Sequence, residues 1–272
     1  MTDWQPRRWR LIRSGRLSGA MNMALDEALL EAVASGASGP LLRLYGWQPA
    51  TLTLGYAQSA RHDIDLTACR ASGIDVVRRT TGGRAVLHAD ELTYALVART
   101  DDPPFAGSVL HCYRVIAEVL QVALRQAGID AELVPGRREG EGARPAHAVC
   151  FTAPAQYELL AAGRKIVGSA QKRRGQAFLQ HGSIPLTLDV DLLARLLRVA
   201  PDDQLSLRKV GWLAGLTAET VTVARLEELL VDAFQTRLGV IWQESTVAAD
   251  EQQRADQLHA ETFARDAWTL QR

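Results

Sequence analysis

Cys150 follows a stretch rich in glycine and arginine and precedes Phe151-Thr-Ala-Pro154, while Lys165 lies on the far arm of a predicted hairpin. A hairpin can bring residues at that separation together, and an ammonium group beside a thiol stabilises the thiolate. Such a pair can work as nucleophile and proton carrier. The same two residues also fit a structural cysteine and a solvated lysine. A second candidate is Arg78-Arg-Thr-Thr-Gly-Gly-Arg-Ala-Val-Leu-His88. Gly82 and Gly83 let the backbone approach a ligand and present N–H groups, and Arg78, Arg79 and Arg84 supply charge for a carboxylate, a phosphate or a pantetheine arm. The run matches neither a P-loop nor a dinucleotide fingerprint, and a tight turn with solvated arginines accounts for it equally well.

The remaining histidines and cysteines are read more plainly. His88 and His181 stand beside glycine-containing strand ends, where sites often form, but no two histidines have the i, i+4 spacing of a helical metal site, and no metal is implied. Cys112 shares a helical stripe with Ile116 and Val119, and Cys69 shares one with Leu66, so both are expected to be small buried hydrophobes. Three cysteines without a Cys-x-x-Cys pair suggest neither a disulfide framework nor a zinc site.

Lysine and arginine together number 31, as do aspartate and glutamate, so the formal charge of the 272-residue chain is zero. That balance argues against nucleic acid or an anionic membrane as a partner held by bulk charge. With 47% hydrophobic and 23% charged residues, the composition is that of a globular protein with a real core. The polar N-terminus lacks an apolar signal core, and no apolar run approaches the ~20 residues of a membrane span, so a cytoplasmic protein is expected.

The elements that must position these residues follow from periodicity. Leu25, Ala28, Leu29, Ala32 and Val33 predict an amphipathic helix over 21–34, with Asn22, Asp26 and Glu31 largely off its apolar face. Residues 41–45 and 51–54 read as a first hairpin across Gly46-Trp-Gln-Pro49. Asp65 is a cap for a short helix carrying Leu66 and Cys69, leading to a strand at 74–77. The segment 91–97 alternates as a strand, with Leu92, Tyr94 and Leu96 on one face. Ser108 caps a long helix whose stripe runs from Cys112 to Ala127, with Gly128 at its end. An exposed loop at 135–145 precedes a second antiparallel meander: 156–161, the Ala162-Gly163 turn, 164–171, and 178–186 after a break near Gly175. Helical patterns then cover 189–199, 222–238 with Val223, Leu226, Leu230 and Phe234 inside and Gly239 as stop, and a polar segment at 248–266. Strands interleaved irregularly with helices predict an α+β fold of mixed, largely antiparallel sheets packed with helices.

Taken together, several of these segments resemble the biotin/lipoate protein ligase and lipoyl-transferase superfamily, most closely the octanoyltransferases of the LipM type. The matching stretches are Gly19-Ala-Met-Asn-Met-Ala-Leu-Asp-Glu-Ala-Leu-Leu30, Leu42-Arg-Leu-Tyr-Gly-Trp-Gln-Pro49 with Thr53-Leu-Gly-Tyr-Ala-Gln58, the 78–88 run, Cys150-Phe-Thr-Ala-Pro154, Tyr157-Glu-Leu159, Gly163-Arg-Lys-Ile-Val-Gly-Ser-Ala-Gln171 and Leu179-Gln-His-Gly-Ser-Ile184. Their order covers about residues 10 to 190.

The resemblance implies a catalytic domain of that superfamily over 1–245, followed by a helical extension over 246–272. It implies transfer of an octanoyl group from octanoyl-acyl carrier protein to the lysine of a lipoyl domain such as that of the glycine cleavage H protein, with no further cofactor. Cys150 would be the nucleophile and Lys165 its acid/base partner. Arg78, Arg79, Gly82, Gly83, Arg84, His88, Gly168, Ser169, Ala170, His181 and Gly182 would line the substrate site, and acidic partner proteins would dock on the arginines nearby. Three alternatives are an ATP-dependent lipoate-protein ligase, a lipoyl-domain amidotransferase and a non-enzymatic binder of the same proteins. The first needs no nucleophilic cysteine, and Arg84 stands where some ligases carry another glycine. The binder needs neither Cys150 nor Lys165.

Overall fold

The computed structural model describes residues 7–134, 157–198, 207 and 209–272. Cys150 and the expected loop at 135–145 lie outside the described residues. The largest sheet has six strands, β1 (Arg7–Leu17), β2 (Leu41–Trp47), β6 (Glu91–Arg99), β10 (Gly168–Arg174), β11 (Ala177–Pro185) and β12 (Val240–Ser245), in the order β10-β11-β6-β2-β1-β12. β1 runs parallel to both β2 and β12, and the other pairings are antiparallel. A three-stranded sheet sets β3 (Thr51–Leu54) between β4 (Asp75–Arg78) and β5 (Val86–His88), and another joins β7 (Glu132–Val134), β8 (Glu158–Ala161) and β9 (Arg164–Lys165). This is the mixed, largely antiparallel α+β arrangement that the pattern predicts.

Helices cover both faces of the large sheet, so its central strands are buried on both sides. α1 (Gly19–Ser35) starts where the Ser18 hydroxyl accepts the Met21 N–H and stops at Gly36 in the left-handed region. Two short helices, α2 (Ala60–Asp63) and α3 (Leu66–Ala71), follow β3, and Asp65 caps α3 as expected. α4 (Val109–Gln126) packs beside α6 (Val223–Leu238) on the face formed by Leu42, Leu44, Leu92, Tyr94, Leu96 and Phe178. The opposite face, with Leu41, Tyr45, Ala95, Val97 and Leu179, carries α1 and α7 (Ala249–Leu258). A third core, built on Leu52, Leu54, Cys69 and Val86, lies between the β3 sheet, α3 and α5 (Val190–Leu196). A π-helical turn at His259–Phe263 and the short α8 (Asp266–Thr269) end the chain.

Three expectations need correction. β2 and β3 do not pair; they enter different sheets, because each finds its partners in distant strands and the 46–49 turn only redirects the chain. The stretch 164–171 is not one strand: Lys165 pairs with Leu160 of β8, Ile166 and Val167 turn into the core, and Gly168 begins the pairing with β11. Asn22 and Asp26, expected off the apolar face of α1, are buried and hydrogen-bonded to Arg43, while Glu31 is half-buried and paired with Arg174 and Arg254. β1 and β12 pass unnoticed in the sequence because alternating Arg residues and a short mixed run resemble loops, and long-range pairing decides them.

Candidate active site

Strand alternation determines which polar groups meet under α1. Arg43, Tyr45, Glu91, Thr93, His181 and Ser183 occupy positions on β2, β6 and β11 that face the helix, and all are buried. Asp26 on α1 accepts from Arg43 Nη1 at 2.8 Å through Oδ1, while its Oδ2 accepts from the Tyr45 hydroxyl at 3.0 Å and lies 2.9 Å from His181 Nδ1. Burial alone would raise the Asp26 carboxyl, but the His181 bond and the Arg43 charge outweigh it and hold it below its ordinary value. Glu91 is likewise held low: burial opposes its charge, while His88 and the Ser183 and Thr93 hydroxyls outweigh that cost.

Between this layer, β5, β10 and the loop after β4 lies a half-open cleft. Met23, Tyr45, Trp47, Val86 and the two histidine rings give it chiefly apolar walls, completed by Gly168, Ser169, Ala170 and Gly182. The histidines are wall and support rather than free bases. His88 stacks on Trp47 with ring centroids 4.0 Å apart, and its nitrogens meet Glu91 at 2.8 Å and Thr53 at 2.9 Å. His181 Nε2 meets Thr81 at 2.8 Å, so both of its nitrogens are also engaged. Gly182 is required where it stands: a Cβ there would lie 2.5 Å from Tyr94 Cε1 and 2.8 Å from Ser169 Oγ.

The arginine loop is built differently from its sequence reading. Arg79 lines the cleft, yet its guanidinium donates to the Thr53 carbonyl and hydroxyl and to the Gly82 and Arg84 carbonyls. Arg78, expected at the ligand, is fully buried outside the cleft lining, its Nε, Nη1 and Nη2 all donating to backbone carbonyls. Gly82 and Gly83 are exposed and Arg84 is half-exposed. The close packing is at Gly55, against the backbone of Gly83: a Cβ on Gly55 would lie 1.9 Å from the Gly83 carbonyl oxygen.

Lys165 is buried, and its Nζ donates to Glu158 Oε1 at 2.7 Å across the β8–β9 hairpin. Ala162 and Gly163, both at positive φ, make the tight turn that brings these two side chains together. Lys165 lines a second cavity with Tyr113, Tyr157 and Gln180, and Ser169 belongs to the walls of both this cavity and the cleft. The ammonium therefore sits next door to the apolar cleft. Glu158, Met23, Trp47 and Thr53 were not singled out from the sequence; only the tertiary arrangement brings them to the site. Cys69 and Cys112 are buried, and burial pushes the Cys69 thiol up to about 11 and raises that of Cys112, as expected of inert structural thiols. Among the described residues no cluster of His, Cys, Asp or Glu is arranged to hold a metal.

The sequence and the architecture coincide with a known class. A family model described as the lipoyl protein ligase A/B catalytic domain matches residues 18–235, and the chain belongs to that family. Its full-length likeness is to octanoyltransferases: the octanoyltransferase LipM of Kyrpidia tusciae is 42% identical, over 97% of this chain and 99% of its own length. The corresponding enzyme of Bacillus subtilis is 37% identical, over 98% of this chain and all of its own. A crystal structure of lipoate-protein ligase A bound with ATP superposes with a TM-score of 0.80 at 25% identity, covering 98% of this chain and 99% of that one.

Proposed function

We propose that the protein is an octanoyltransferase of lipoate biosynthesis that moves an octanoyl group from octanoyl-acyl carrier protein, through a thioester on Cys150, to the lysine of a lipoyl domain such as that of the glycine cleavage H protein. The observation that carries this reading is the adjacency of an apolar cleft to a buried ammonium, with Ser169 in the walls of both the cleft and the Lys165 cavity. An eight-carbon chain gains about 0.8 kcal/mol for each buried CH₂, which favours such a cleft over open surface. In this reading residues 1–245 are the catalytic domain and 246–272 an extension, no cofactor is consumed, and donor, acceptor and enzyme share the cytoplasm.

The Cys150 thiolate attacks the donor carbonyl, and the pantetheine sulfur leaves with a proton from Lys165. The acceptor amine then attacks the enzyme thioester and gives its proton back to Lys165 as the Cys150 thiolate departs. Glu158 keeps the Lys165 amino group oriented through both steps. Backbone N–H groups near Gly168, Ser169 and Ala170 are the assigned donors to the oxyanion, and the 79–88 loop with His88, His181 and Gly182 walls the acyl chain. Two steps at one cysteine spare the site from holding both protein substrates together.

The likeness to a ligase structure bound with ATP makes ATP-dependent lipoylation the rival reading. Intact-protein mass spectrometry of wild type and Cys150→Ala, after incubation with octanoyl-acyl carrier protein and no ATP, separates the two. A hydroxylamine-sensitive octanoyl adduct on wild type alone, discharged by apo H protein, is the expected result. No adduct, with lipoylation appearing only on addition of ATP and free lipoate, would move the assignment to a ligase.

A further inference from the structure

Arg78 is the least expected residue of the loop. It is completely buried, yet among the described residues none of its hydrogen-bond acceptors is a carboxylate. Nη1 donates to the carbonyls of Gly55, Tyr56 and Gln58 at 2.9, 3.1 and 2.6 Å, in the turn after β3. Nη2 and Nε donate to the Thr269 carbonyl at 2.9 and 3.2 Å, and Nε also to Trp268. Burial, and then the charge of Arg272, push the Arg78 pKa down. A buried cation held only by carbonyl dipoles is a costly arrangement, and what it accomplishes is to tie two segments to a third.

The C-terminal tail returns those contacts. Trp268 Nε1 donates to the Arg78 carbonyl at 2.8 Å, and the Arg272 carbonyl accepts from Ala60 N at 2.9 Å. The Tyr56 ring lies 6.1 Å from Trp268 and 4.9 Å from the Arg272 guanidinium, so the turn is held between the two tail side chains. The turn in turn grips the cleft loop: Tyr56 N donates to the Thr81 carbonyl at 2.9 Å, and Gly55 touches Gly83. Thr81 and Arg79 then reach His181 and Thr53 in the cleft wall.

We propose that the tail at 266–272 is a positioning element of the acyl cleft, acting through Arg78 and the 55–58 turn to hold the 79–84 loop against the octanoyl chain. Arg78, Trp268 and Thr269 are positioning residues, since none of them lines the cleft. The assignment of the acyl chain rests on the octanoyltransferase reading; the mechanical lock does not.

Trp268→Ala and Trp268→Phe, both at a half-buried tail position, test the lock without emptying the Arg78 site. In the alanine variant, hydrogen exchange of peptides spanning 79–84 is expected to quicken while peptides of β11 and α4 keep their protection. KM for octanoyl-acyl carrier protein is expected to rise roughly tenfold with kcat changed less than about twofold, the pattern of lost uniform binding. A merely destabilised enzyme loses active fraction and lowers apparent kcat with KM unchanged. The phenylalanine variant keeps the ring against Tyr56 and should recover most of the loop protection. Unchanged loop exchange in Trp268→Ala would overturn the lock, and faster exchange with unchanged KM would overturn its service to the cleft. If wild type transfers no octanoyl group, the functional reading has failed, and the exchange arm still decides the lock.

Discussion

The contact between Gly55 and Gly83 can be tested by adding a single methyl group. Neither Gly55 nor Gly82 has a positive φ, so alanine fits the local backbone at both. A Cβ on Gly55 would lie 1.9 Å from the Gly83 oxygen and 2.7 Å from its carbonyl carbon, whereas one on Gly82 meets no protein atom within 4 Å. To reach even the ~3.3 Å of a close C–H···O contact, the loop or the turn must retreat by roughly 1.4 Å. The retreat pulls on the Arg79 bonds to Gly82 and Arg84 and on the Tyr56 bond to Thr81. Overpacking of this kind costs about 1–3 kcal/mol, set against about 0.4–1 kcal/mol that alanine gains over glycine in the unfolded chain. Gly55→Ala should therefore be destabilised by roughly 1–2 kcal/mol in urea unfolding, and Gly82→Ala should stay within about 0.5 kcal/mol of wild type or gain stability. Because a displacement near 1 Å can cost about a hundredfold in rate, octanoyl transfer by Gly55→Ala should also fall by ten- to a hundredfold, roughly. Equal unfolding midpoints for the two variants would refute the claim that this contact sets the loop.

Two further outcomes follow from the buried titratable groups. Glu91 has a folded pKa below its ordinary 4.5, so its contribution to stability is complete above that value and is lost as pH falls through the folded pKa. Thermal unfolding between pH 6 and pH 3 should show a shallower acid slope for Glu91→Gln than for wild type, and parallel slopes would contradict the assignment. Cys69 and Cys112 should resist iodoacetamide at pH 8 in the native protein, since both are buried and the Cys69 thiol is pushed up to about 11. Peptide mapping should then find the label on Cys150; labelling of Cys69 or Cys112 at the rate seen in the unfolded chain would show that they are not shielded.

Much of the architecture is readable locally. The caps at Ser108 and Asp65, the left-handed stops at Gly36 and Gly239 and the apolar stripe of α4 are properties of a few adjacent residues, and they appear where the chain spells them. The motif set likewise identifies the family, because several short signatures in one order need no knowledge of folding. Arg78, Asp26 and the β2–β3 connection were misread for a common reason. A charged residue in a glycine-rich run looks solvated, a polar residue on a helix looks exposed, and two apolar runs across a turn look paired, until distant segments supply other partners. The sequence alone determined which residues could do chemistry and which short elements carry them. Only the tertiary structure decided that Arg78 holds the tail, that both histidines are fully bonded and that Lys165 sits beside the cleft, since each depends on carbonyls and carboxylates brought in from far along the chain.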